Sequence, residues 1–410
     1  MNKLLVIGHK YPEPQSSAAG TRMMQLIGLF KENGYTVTFA SEAQESEHAA
    51  DLDGMRILCS TIKLNDSSFD AWISKLQPDI VVFDRFMMEE QFGWRVEKSC
   101  PNAIRILDTE DLHFLRKARG LAVKQNRELS DEDLKSDNAK REIASIFRSD
   151  LSIMISRFEM ELLVDHFGVP NSQLFYLSFL VNKDSIPPTK PYNERRNFLS
   201  IGNFLHEPNW DATQRLKQVI WPFIREALPM SELHVYGAYA SEKVQQLHDE
   251  KQGFLIKGRA ENAISVMSSA KVLLAPLRFG AGLKGKLFES MLCGTPSVTT
   301  MIGAEGMSEN QKWNGAITND ELEFARMAVE LYENEGLWSE ASAASTQLLK
   351  QFEPQQFESE FSHKLSFLSE NLSKHRSENF IGSMLLYHTQ RSTEFMSRWI
   401  EEKNRSANSE

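Results

Sequence analysis

Cysteine is scarce in this chain. Only Cys59, Cys100 and Cys293 occur in 410 residues, far apart from one another. So few exclude a disulfide framework, and no CxxC pair suggests a zinc site. Such usage points to a reducing compartment, the cytoplasm. Long apolar runs are missing too. Nowhere do about 18 apolar residues follow one another, so no segment reads as a membrane span. The opening MNKLLVIG has a basic residue and a short apolar run. That run is too short for a secretory leader and no small-x-small site follows it, so a buried first strand is expected there. Basic charge is in deficit, with 46 Lys and Arg against 56 Asp and Glu, a net charge of −10. This argues against broad nucleic-acid binding, which needs a basic surface to release counterions, but leaves room for a local phosphate site. What remains is ordinary globular composition, 41% apolar and 25% charged. Disorder, collagen and coiled coil are excluded on those grounds. The length suits two domains at roughly 150 residues each.

The first half alternates short apolar runs with amphipathic stretches. Leu4–Ile7, Tyr35–Ala40, Asp79–Asp84, Ala103–Asp108 and Leu151–Ile155 read as strands buried on both faces. A helix is expected over Gly20–Asn33, with Gly34 as its C-terminal glycine. The charge-rich stretch Phe114–Arg148 reads as a solvated helical pair. A polar segment, Asn182–Arg196, carries Pro187, Pro188 and Pro191 and reads as a linker. The alternation then restarts at Asn197–Gly202, Glu232–Gly237, Gly253–Gly258, Lys271–Pro276 and Ser297–Thr300. The expected architecture is α/β: two doubly wound domains with a cleft between them, over residues 1–190 and 191–365. A helical extension, 366–410, follows. Ligands in such folds bind beyond the strand carboxyl ends.

The densest chemical signal is LRFGAGLKGKLFESMLCGTPSVTTMIGAEGM, residues 277–307. A strand ends at Pro276, a Gly280-Ala281-Gly282 turn follows, and a helix starts near Lys284. Backbone N–H groups at a helix start after a glycine turn attract anions. Lys284 and Lys286 add positive charge, and Glu289 lies one turn further on, where a carboxylate can accept two ribose hydroxyls. Together these describe a nucleotide diphosphate site. The plainer alternative is a common glycine turn with a Lys286–Glu289 surface pair.

These pieces resemble a family. FLSIGNFLHEPNWDA, SELHVYG, APLRFGAGLKGKLFESMLCGTPSVTT and GAEGM, in that order, are similar to the donor domain of GT-B glycosyltransferases of family four, the group 1 superfamily. SAAGTR at 17–22 and LDTEDLHFLRKAR at 107–119 extend the likeness into the first half. The resemblance implies two Rossmann-like domains, a UDP- or GDP-linked sugar donor held by the second, and an acceptor held mainly by the first. It implies transfer of a hexosyl-like group without a cofactor or catalytic metal. It makes Glu289 the ribose-binding glutamate and places Lys284 and Lys286 at the donor phosphates. Two departures stand out. The family's first glutamate, eight residues before Glu289, is Ala281 here. The basic pair after the first donor-domain strand is absent, His206 being the only base in that loop. Phosphate contacts then fall to Arg278, Lys284 and Lys286, with Gly202 and Gly282 giving close backbone approach.

In the first domain, His113 follows an apolar strand in Asp108-Thr109-Glu110-Asp111-Leu112-His113. The resemblance implies a residue facing the transferred sugar from such a loop, so His113, oriented by Asp111, is the catalytic candidate. The alternative makes Asp111 a helix cap and His113 an exposed first-turn residue. Gly20, at the first helix start, either admits donor or acceptor or belongs to an ordinary turn. Asp84 and Arg85 read as an ion pair or cap, and Ser156 with Glu159 as a capping box. The acceptor classes implied are a glycan, a lipid-linked molecule or a protein. Nucleic acid is not a partner. The final helices read as packing on the first domain or on a second copy, with peripheral membrane contact left open. Rival functions are a nucleotide-sugar epimerase or hydrolase, and a non-catalytic scaffold subunit.

Overall fold

The computed structural model describes residues 2–181, 186–308 and 311–407. Seven parallel strands form the first sheet: β1 (Asn2–Gly8), β2 (Tyr35–Ser41), β3 (Leu58–Thr61), β4 (Ile80–Asp84), β5 (Ile104–Asp108), β6 (Leu151–Met154) and β7 (Leu174–Tyr176). Their order is β3-β2-β1-β4-β5-β6-β7. The second sheet has six: β8 (Arg196–Ile201), β9 (Leu233–Tyr236), β10 (Phe254–Gly258), β11 (Ala270–Ala275), β12 (Ser297–Thr299) and β13 (Gly315–Ile317). They run β10-β9-β8-β11-β12-β13, again all parallel. Each sheet reverses its winding beside its first strand, between β1 and β4 and between β8 and β11. That reversal opens a crevice at the strand carboxyl ends.

The central strands are continuous apolar runs because helices cover both faces. Leu4, Leu5, Val6 and Ile7 are at most 1% exposed. The ten strands read from sequence are all present. The three it does not show are β3, β7 and β13. β3 is a mostly exposed edge strand of four residues, and the other two have three residues each. None is long enough to write an apolar run.

The linker reading over Asn182–Arg196 falls partly on residues 182–185, outside the described residues; Ile186–Pro191 carries no helix or strand. The boundary expected after residue 365 falls inside one helix, Gln355–Glu378. The chain returns to the first domain at the helix Gln355–Glu378, whose Phe357, Phe361, Leu365 and Leu368 join the β1–β4 core. Phe361 packs edge-on to Phe30 at 5.1 Å, and Arg376 binds buried Asp150 at 2.7 and 2.8 Å. The last helix, Phe380–Ala407, lies along first-domain helices, with Arg95 donating to Ser397 at 3.1 Å and Lys98 pairing with Glu394. No helix among the described residues is long and apolar enough to cross a membrane.

Candidate active site

A cavity of about 660 Å³ lies between the carboxyl ends of the two sheets. On the second-domain side, β11 ends at Ala275 and the chain turns through Gly280 (φ +157°) and Gly282 (φ +61°), conformations that favour glycine. The helix Gly285–Leu292 follows, with Lys284 at its N-cap. Lys284 is buried and its Nζ donates to the Gly282 carbonyl at 2.6 Å. Lys286 Nζ donates to Asn209 Oδ1 at 2.8 Å. A side chain on Gly202 would meet that ammonium, since its Cβ would stand 2.8 Å from Nζ. Glu289 faces the same space. Burial raises its carboxyl to about 7 against the pull of Lys286. Burial also lowers Lys286 to about 8, with Glu289 opposing.

On the first-domain side, Ser17 caps the helix Ala18–Glu32 by accepting from Gly20 N at 3.1 Å. This helix start meets the other one. A Cβ on Gly285 would lie 2.5 Å from Ala18 Cβ. Two helix N-termini therefore meet beside two lysines, and such N–H groups and ammonium charge attract anions.

Residues 195–334 match the model of the family described as "Glycosyl transferases group 1". That stretch, about a third of the chain, is similar to group 1 glycosyl transferases. No curated protein sequence matches the chain. Solved structures do. A mutant of TarM from S. aureus, in complex with fondaparinux, alpha-GlcNAc-glycerol and UDP, superposes with a TM-score of 0.69 at 11% identity, over 90% of this chain and 100% of that one. HepE from Anabaena, in complex with UDP and glucose, gives 0.67 at 12% identity, over 89% and 100%. Sucrose-phosphate synthase from Thermosynechococcus elongatus gives 0.66 at 13%, over 90% and 99%. At such identities these likenesses speak to fold, and the fold is GT-B.

Within this GT-B fold, Gly202, Lys284, Lys286, Glu289, Asp111 and His113 all line one cavity. Three other candidates do not. Arg278 turns away to Asp211, with Nε to Oδ2 at 2.9 Å. Gly20 sits behind the lining, and the space of its missing side chain is filled by the Glu13 backbone at 2.4 Å. Gly282 spends its N–H on Glu159 Oε1 at 2.7 Å.

His113 opens the helix His113–Lys124, with Nε2 3.4 Å from Asp111 Oδ1. Burial pushes its imidazole down to about 3 against the pull of Asp111, so it is neutral near pH 7. Asp111 does not cap that helix. It pairs with Arg116, and Arg116 and His113 hold its carboxyl well below the usual range although burial acts the other way. The cap comes from Glu142, whose two oxygens accept from His113 N at 3.0 Å and Phe114 N at 2.8 Å. The stretch Phe114–Arg148 is therefore not simply solvated. Its inner face is buried, including Glu142 and an Arg148–Glu89 pair. Ser156 and Glu159 form no capping box. Ser156 makes no side-chain cap bond, and Glu159 turns to other partners. Asp84 and Arg85 do pair, at 3.6 Å.

Among the lining residues not singled out from sequence are Glu110, Arg116, Asn209 and Arg259. Glu110 at φ +61° and Arg85 at φ +72° both hold left-handed backbone at adjacent strand ends. Strain of this kind gathers at functional sites. The clue to Asn209 was its place in NFLHEPN, after a strand that ends in glycine. No group of three or more His, Cys, Asp or Glu among the described residues is placed to hold a metal ion.

Proposed function

We propose that the protein transfers a sugar, hexosyl-like, from a UDP- or GDP-linked donor to an acceptor glycan, free, lipid-linked or on a protein, in the cytoplasm and without a catalytic metal. The observation that carries this is the cluster of Lys284, Lys286 and Glu289 at a helix start that meets a second helix start across the cleft. The converging N–H groups and two ammonium groups offset the charge that grows on the leaving diphosphate. Glu289 accepts the ribose hydroxyls. In the transfer step the acceptor oxygen bonds to the sugar's anomeric carbon. The bond from that carbon to the diphosphate oxygen breaks, and the diphosphate leaves with the electron pair. Neutral His113 takes the acceptor's proton, and Asp111 stabilises the imidazolium so formed.

The test is calorimetric. UDP or GDP binds the wild-type protein, and Glu289→Ala weakens that binding by about 1–3 kcal/mol. Equal affinities in the two proteins overturn the ribose assignment.

A further inference from the structure

Glu159 is fully buried, and it does not serve its own helix. One oxygen, Oε1, accepts from two backbone amides: Leu112 N at 3.2 Å in the first domain and Gly282 N at 2.7 Å in the second. Those amides belong to the two loops on which the site depends. Leu112 lies between Asp111 and His113. Gly282 ends the glycine turn and receives Lys284 Nζ on its carbonyl. The two loops touch so closely that a Cβ on Gly282 would stand 2.8 Å from Asp111 Cβ. Beside them, Arg119 of the first domain donates to the Gly280 carbonyl at 2.9 Å and to both Glu305 oxygens at 2.8 Å. A buried carboxylate that reaches over a domain boundary gives up its solvation, which is compensated only by the bonds it makes there.

We propose that Glu159 is a positioning residue that clamps the Gly280–Gly282 turn of the second domain to the Asp111–His113 loop of the first. The clamp holds donor phosphates and acceptor-side groups in register. That use of it rests on the transferase reading above; the clamp itself does not. The second oxygen, Oε2, has no hydrogen-bond partner among the described residues, so the function rests on Oε1. Glutamine can present an acceptor oxygen at that place. Aspartate, one methylene shorter, cannot span both amides.

Amide hydrogen exchange on the full chain, without any ligand, tests this. In Glu159→Ala, exchange rises in two separate segments at once, 110–114 and 280–284, by about tenfold or more. The strands β1 and β4 keep wild-type protection. Glu159→Gln restores both segments and Glu159→Asp does not. Unchanged exchange at 280–284 in the alanine protein overturns the clamp. So does a rise spread over the whole first domain, which marks a merely structural residue, or a failure of glutamine to rescue. Because no nucleotide enters the measurement, its outcome is independent of whether UDP or GDP binds.

Discussion

Two opposite charges with displaced pKa values, Glu289 and Lys286, face one another where the proposed function places the nucleotide. Burial brings Glu289 up to about 7 and Lys286 down to about 8. Ribose recognition needs the ionised carboxylate, which is lost as pH falls through 7. Phosphate recognition needs the ammonium, which is lost as pH rises through 8. Affinity for UDP or GDP should therefore peak between pH 7 and 8. Outside that window it should fall on each side, approaching about tenfold per pH unit. Titrations by calorimetry from pH 5.5 to 9.5 check this, and an affinity flat over that range contradicts the two roles. His113 adds no step there, because its imidazole titrates far lower, at about 3.

At the scale of elements, the helix starts at Ala18 and Gly285 are the critical junction. Gly285→Ala places a methyl 2.5 Å from Ala18 Cβ and 3.5 Å from its Cα, and the alanine methyl cannot rotate aside. Overpacking of this kind costs about 1–3 kcal/mol. Here it also parts the two N-termini, so a lower melting temperature should come with weaker nucleotide binding. Loss of stability with full affinity would show that the junction does not shape the phosphate site. The ten longer or central strands were legible in the sequence, and the short β3, β7 and β13 were not. Parallel strands covered on both faces write continuous apolar runs, and the glycine turn, Lys284, Lys286 and Glu289 lie within ten residues. What was not legible came from elsewhere in the chain. Glu142 caps a helix that begins 29 residues earlier, and Glu159 bonds a glycine 123 residues later. S-x-x-E spacing suggests a local capping box, but the carboxylate found better partners across the domain boundary. Arg278 stands in the motif yet pairs with Asp211, 67 residues before it.

At the scale of the whole molecule, the two C-terminal helices tie the far end of the chain to the first domain. Phe357, Phe361, Leu365 and Leu368 are 0–4% exposed there. Each such side chain stabilises by about 1.5–3 kcal/mol when buried. A chain stopped at Glu353 should thus lose most of a typical domain stability of about 5–15 kcal/mol. Its first domain should lose cooperative thermal unfolding, whereas an independent extension would leave the transition unchanged.

Sugar transfer of the kind proposed releases a nucleoside diphosphate from the cleft between the two domains. The most direct measurement follows UDP and GDP release from a panel of UDP- and GDP-sugars with cell-extract glycans as acceptors, in the presence of EDTA. Release is expected from one base class, dependent on acceptor, undiminished by EDTA and lost in Glu289→Ala. Failure of the wild-type protein to bind or release either diphosphate would contradict the proposed transfer.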